Sequence, residues 1–569
     1  MKKLLKPIIL TLIVLSGLTF GAIFLLTKGE EETGEFGSRR YLEQSDQEDE
    51  HAYKYDTDSS AIPLIREGDN KNVLNFDTLN QFSITNTKAA RERIERLKRR
   101  KAASYEDPLI ALDPFGTVPN SYFFYFKTPQ NCMIKVTITV ADEKIPDLIR
   151  YIYNGETKNT TREHEFLVTG LIPGMTNYII IEQIDENGSH REDRTYKVDV
   201  PEGKMPARFS YERGKSDLRL QNGTFFVFPN DQSEIYMYDN NGTSRGMLAT
   251  DGAHGRRIYS TDKYLIYQVS GSRIVRIDRL GQVDAVGVFS GYDDIYDFAY
   301  DGYEHVFALI KNKGRYAILR TSMKGGNTEL IYTFDKGVQI TSISGVSAGN
   351  LYASSSSPAG IIRLDGLVSQ KPRIGIVVGK TSDWKKTSAK KRIIDPSIEK
   401  KAAADDAAQG DTEDTDDKTG ETEGESPDET DDTDSATGSA ADAGYDPPVV
   451  GWDMSDVVLD LVEDESDGKT DTLSFAVHED DLVHAVKVSI ENKKKKKDIK
   501  ALTLFDKEVE FDGKVFVQWG QRESVVITNG SRGRFEERDE LFKVTREFDT
   551  QMGLGAVWKL NLEGMRYFG

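Results

Sequence analysis

The stretch best suited to chemistry is TDGAHGRRIY, which sets His254 beside Arg256 and Arg257. One imidazole and two guanidiniums within four positions are good company for a sulfate-like anion, because guanidinium forks match tetrahedral oxyanions. The same residues also suit a solvated loop ahead of a strand, and both readings stay open. A second pair, His478 and His484 in VHEDDLVH, lies six residues apart around an acidic turn, where two imidazoles could share a metal but lack a third ligand. His51, His164, His190 and His305 are scattered. Cys132 is the single cysteine, which excludes an intrachain disulfide. Opening the run CMIKVTITV, it reads as a small apolar side chain. No phosphate-cradling Walker loop and no dinucleotide turn occurs, and YDNNG and IDENG are hairpin turns before they are calcium loops.

What must hold these residues is almost wholly β. From Ser121 the chain alternates in short β-branched and aromatic runs (SYFFYFKT, CMIKVTITVA, EFLVTG, NYIIIEQI, TYKVDV), which predicts a small β-sandwich over 105–202. Within it Pro173-Gly174 marks a turn, and Tyr178 is placed to brace a sheet corner. Beyond the sandwich lies a repeat. Strands closing in tight turns end at Asp239, Asp278, Ser322 and Asp365, at spacings of 39, 44 and 43 residues. An all-β period of this length predicts propeller blades, since one such unit cannot bury both faces alone.

The segments around these domains differ in composition. The formal charge is -20, but 402–442 holds sixteen Asp/Glu against one Lys, so the rest of the chain sits near -5. That acidic tract has no large apolar residue, and 396–446 is expected to be disordered. It divides the propeller into a first part, 203–395, and a last part, 447–569. The run Lys493–Lys497 reads as a hairpin tip or as a dock for the acidic tract. Pro7 to Thr27 gives 21 uncharged residues after Lys2, Lys3 and Lys6. At 1.5 Å per residue that spans roughly 30 Å, enough to cross a bilayer with the amino end inside. Residues 1–27 are therefore expected to be a cytoplasmic start and transmembrane helix, 28–84 a disordered stalk, and 85–104 a basic helix with too few apolar positions for a buried face.

The segments DPLIALDPFGTVPNSYFFYFKT, GIIRLD, RIGIVVGKTSDW and VVITNGSRGRFEERDELFKVTREF resemble the bacterial aryl-sulfate sulfotransferases, from about Tyr105 to Gly569. That resemblance implies a sandwich followed by a six-bladed propeller, and sulfuryl transfer from a phenolic sulfate to a phenol through a sulfated histidine, with no soluble cofactor. It places the nucleophile at Gln339, its partners at Thr341 and Ser342, an arginine at Ser356, and a histidine-aspartate pair at Tyr296-Asp297. Glutamine forms no stable sulfated intermediate, so the expected nucleophile and arginine are both replaced.

The chain is thus expected to be all-β: an N-terminal transmembrane helix, a small sandwich and a six-bladed propeller. It is expected to sit in the cell membrane through residues 7–27, single-pass, with its bulk extracytoplasmic. The first functional expectation is a non-catalytic or diverged member binding an aryl sulfate, another small ligand or a cell-envelope protein. The alternatives are an active sulfotransferase with a relocated nucleophile, such as His254, and an envelope scaffold. Neither a metal, a cofactor nor a nucleic acid is expected.

Overall fold

The computed structural model describes residues 51–378 and 452–562. Within these it leaves out 77–81, 153–159, 216–222, 232–233, 254, 293, 348–349, 366–372, 463–469, 480–481, 492–500, 510–513, 520–524 and 540. The apolar segment 7–27, the acidic tract and Lys493–Lys497 lie outside the described residues, among which no helix is long and apolar enough to cross a membrane.

The sandwich is organised by one long strand, Tyr122–Val140. Its first half pairs with Leu109–Leu112 and Thr161–Val168, and its second half with Leu148–Ile152 and Thr176–Ile184, so the strand passes from one layer to the other. Alternate side chains explain why SYFFYFKT is apolar at nearly every position. Tyr122, Phe124 and Phe126 enter the sandwich core, whereas Phe123 and Tyr125 point the other way, into a cluster shared with the propeller. Burying a side chain such as Phe123 contributes roughly 1.5–3 kcal/mol.

Six antiparallel sheets follow, each with at least four strands. Blade 1 takes Thr224–Pro229, Ile235–Tyr238 and Ser244–Leu248, with Leu554–Leu560 added beside the first of them. Blades 2, 3 and 4 start at Ile258–Ser260, Ile295–Tyr300 and Gln339–Ser347. Blade 5 starts at the short strands Trp452–Asp453 and Asp460–Leu461 and continues at Thr470–Glu479. Blade 6 runs from Val515–Trp519 to Val544–Asp549, with Ser210–Arg213 on its outer edge. The opening strands of blades 3, 4, 5 and 6 touch in succession, and that of blade 6 touches Leu554–Leu560 of blade 1. The second strands, such as Tyr264–Ser270 and His305–Asn312, are buried along nearly their whole length, because each blade is packed on both faces.

The sandwich docks over the cleft between blades 1 and 2. Thr117 accepts a hydrogen bond at its carbonyl from the Ala249 amide (2.9 Å) and donates its hydroxyl to the Gly281 carbonyl (2.5 Å). Gly281 has φ +79°, and a Cβ there would lie 2.7 Å from the Thr117 hydroxyl, so glycine alone fits this contact.

Two expectations for the amino-terminal region are corrected. Residues 51–76 are not a free stalk: Ile62–Pro63 and Val73–Asn75 extend the sandwich sheets, and Asp147 accepts the Ala52 amide at 2.7 Å. Tyr178 donates to Asp58 in this segment (2.7 Å), pinning the incoming chain. The basic helix spans Ile84–Arg100 and does bury a face. Ile94 is 1% exposed, and Ile84, Ala90 and Leu97 pack on the same cluster as Phe123 and blade 2. Arg91 and Lys98 both reach Glu165 of the sandwich, at 2.5 and 2.6 Å. Ser83 caps the helix by accepting from the Asn86 amide.

Candidate functional site

The opening strands of four consecutive blades meet at Arg257. Its side chain is wholly buried, because it sits one residue before the strand of blade 2 and turns inward toward the next blade. Nε donates to Asp297 Oδ1 at 3.1 Å and one terminal nitrogen to Oδ2 at 3.2 Å, forming a two-point ion pair between blades 2 and 3. The same nitrogen donates to the Leu459 carbonyl of blade 5 at 2.6 Å, and the other lies 3.5 Å from the Ser344 hydroxyl and 4.0 Å from Asp460. Trp558 and Tyr259 flank the guanidinium at 5.3 and 5.9 Å from their ring centres. Burial alone would lower the Arg257 pKa, but the opposite charge of Asp297 outweighs it and the group stays charged. Asp297 is equally occupied, accepting the Ile343 amide at 3.0 Å and its neighbour Phe298's at 2.9 Å.

Blade 4 supplies a row of hydroxyls beside this pair. Ser342 accepts the Leu459 amide (2.8 Å) and Ser344 the Leu461 amide (3.0 Å), so together they hold the backbone that carries Asp460. Ser354 shares hydrogen bonds with Thr341 (2.6 Å) and Ser342 (2.9 Å). These partners are backbone groups, other hydroxyls and, for Ser344, the Arg257 guanidinium, none of them a base that would make an oxygen nucleophilic. The arrangement can hold strands together. It offers no activated group.

The residues singled out from the sequence therefore divide. Arg257, Asp297, Ser342 and Thr341 come together. Gln339 is exposed, and its carbonyl accepts the Ser355 hydroxyl at 3.0 Å and lies 3.5 Å from that of Ser356. Tyr296, on the opposite side of the strand from Asp297, is 52% exposed and meets Tyr316 edge-on at 5.6 Å. Arg256 is exposed, and its carbonyl accepts the Trp558 indole N–H at 2.6 Å. His254 lies outside the described residues. His478 and His484 cannot share a metal: His478 pairs with Val483 and His484 with Val477, which points the two imidazoles to opposite faces of the sheet. Among the described residues no three ligand-type side chains cluster for a metal.

Ser344, Leu459 and Asp460 were not singled out in the sequence. A signal for the ion pair was present, since Arg257 and Asp297 lie 40 residues apart, about one blade period, at matching positions of neighbouring blades.

A different histidine is chemically unusual. His164 is 1% exposed in the sandwich, 3.3 Å from the Thr128 hydroxyl and 3.5 Å from the Cys132 sulfur. Burial pushes its pKa down to about 4 and pushes the Cys132 thiol up, the opposite of what an activated cysteine needs. Because the folded pKa lies below the unfolded value near 6.5, the neutral ring's contribution is complete above that pH and lost as pH falls toward 4. The shift corresponds to about 3 kcal/mol. Chemical denaturation followed between pH 7 and 4 should show the native chain losing about that much relative to His164→Phe, and parallel curves would refute it.

The sandwich carries the one family match. Residues 109–201 match the arylsulfotransferase Ig-like domain. The chain carries an arylsulfotransferase Ig-like domain. The aromatic strand that organises the fold lies inside the match, and the propeller lies beyond it. No curated protein matches this arylsulfotransferase-like chain. Among solved structures, a chain of a nidogen/laminin complex is similar over 60% of this chain and 99% of its own, at 11% identity and a TM-score of 0.35. A functionally unknown protein from Desulfotomaculum acetoxidans covers the same shares at 8% identity and 0.31. A catalytically inactive virginiamycin B lyase from Staphylococcus aureus covers 45% and 88% at 14% identity and 0.22. Scores this low carry no functional inference.

Proposed function

We propose that this arylsulfotransferase-like chain is a non-catalytic, membrane-anchored extracytoplasmic protein that works by presenting its propeller surfaces to a cell-envelope partner. The observation that carries the reading is the saturation of Arg257. The inward-facing guanidinium is spent on Asp297, the Leu459 carbonyl and the Ser344 hydroxyl, so it has little left to offer the oxygens of a transferred sulfuryl group. The position matched to the nucleophile is Gln339, whose carboxamide is a poor nucleophile. Support for the anchor is the uncharged run 7–27 behind three lysines.

The test is sulfuryl transfer by the full chain in detergent, with a chromogenic aryl sulfate and a phenol acceptor, beside an active family member. The expected result is no turnover above background. Turnover that disappears in His254→Ala would overturn the proposal and make the chain an enzyme with a relocated nucleophile.

A further inference from the structure

The helix Ile84–Arg100 has two unlike faces. On its inner face Arg91 and Lys98 are consumed by Glu165 and Glu95. On its outer face Lys88, Arg96, Arg99 and Arg100 are exposed, and at about 100° per residue the four fall within roughly a third of the helix circumference. The one carboxylate within ion-pair range of these four among the described residues is Glu92, 3.9 Å from Arg96. The helix dipole accounts for cations in the last turn but not for Lys88 or Arg96. From Lys88 to Arg100 the stripe extends about 18 Å, at 1.5 Å per residue. It stands on a chain whose charge outside 402–442 is still negative, near -5.

The docking of residues 51–76 bears on what this stripe meets. With that segment fixed to the sandwich, the tether after Thr27 is 28–50, 23 residues, rather than the 57 of 28–84. Fully extended it reaches at most about 80 Å. A body whose charge outside 402–442 is near -5 gains no attraction to an anionic bilayer from its net charge, and is attracted on this face. We propose that the outer face of this helix lies against the anionic headgroups of the membrane in which the chain is anchored, and so orients the propeller. This rests on the anchoring reading.

The test uses the full chain in vesicles of phosphatidylcholine alone or mixed with phosphatidylglycerol. A fluorophore on Ala89→Cys, an exposed position on the same face, reports on the stripe through nitroxide-labelled headgroups, while Cys132 stays buried. Quenching is expected to be several-fold stronger in the anionic vesicles. It should fall to the neutral level in high salt, and in a variant with Lys88, Arg96, Arg99 and Arg100 all changed to Gln. Changing the three arginines to Lys should preserve it, because headgroup attraction needs charge and not a guanidinium fork. Equal quenching in both lipids, or quenching unaffected by the Gln changes, overturns the proposal. So does a label that becomes accessible only when 402–442 is deleted, which would make the acidic tract the occupant. Failure of anchoring shows separately, as failure to float with neutral vesicles. In that event the stripe alone should still carry the chain to anionic ones, with about tenfold or greater loss on the Gln changes.

Discussion

Asp297→Ala is expected to destabilise the propeller by roughly 3–5 kcal/mol, read from denaturant unfolding, because it removes the two-point partner of the wholly buried Arg257 and leaves only Asp460, 4.0 Å away, as counter-charge. Arg257 stays protonated, so it cannot relieve the loss by giving up its charge. Changing both partners, as in Arg257→Met with Asp297→Leu, should recover most but not all of the loss. The remainder comes from the Ile343 and Phe298 amides, which donate to Asp297, and the Leu459 carbonyl, which accepts from Arg257; a buried group left without its partner costs about 1–3 kcal/mol. A loss below about 1 kcal/mol in the single variant would show that the pair does not hold the four blades. Trp558, 5.3 Å from the guanidinium, gives a local fluorescence signal for the same transition.

The second large effect lies where the ring closes. Lys559, on the added strand of blade 1, has its ammonium 2.8 Å from both oxygens of Glu537 in blade 6, with both side chains nearly inaccessible. Glu537→Leu should therefore cost about 3–5 kcal/mol at neutral pH. Unlike arginine, this lysine can give up its proton, which caps the penalty near 5 kcal/mol. Burial already lowers its pKa in the native protein, Glu537 notwithstanding, and removing the carboxylate lowers it further. A depressed folded pKa means stability gained as pH rises toward the unfolded value near 10.4. The variant's deficit against the native chain should thus shrink steadily from pH 7 to 10. A deficit that is flat with pH would assign the loss to packing instead.

The propeller was legible because blade packing imposes a period, and the sandwich because alternation marks strands with two distinct faces. The helix was misread for a physical reason. Ile94 and Leu97 look isolated among cations, and their burial depends on Phe123 and Val283, which the sequence places far away. The segment 51–76 was misread similarly: its composition is polar, but two short strands and two side-chain bonds suffice to attach it to an existing sheet. At the axis, Arg257 and Asp297 were each visible as chemical groups. Their mutual neutralisation was not, since sequence alone cannot say whether a buried guanidinium faces a ligand or a carboxylate of the next blade.

The added strand Leu554–Leu560 also fixes an order of events during synthesis. It is the partner of Thr224–Pro229, and Leu554 follows Pro229 by 325 positions. At translation rates of about 5–20 residues per second, the strand edge stays unpaired for roughly 15–65 s. Such an edge templates pairing between chains. The tract 402–442, with its sixteen carboxylates, emerges within that interval. Nascent copies on one messenger would then repel each other through like charge at the stage when they are most prone to join edge to edge.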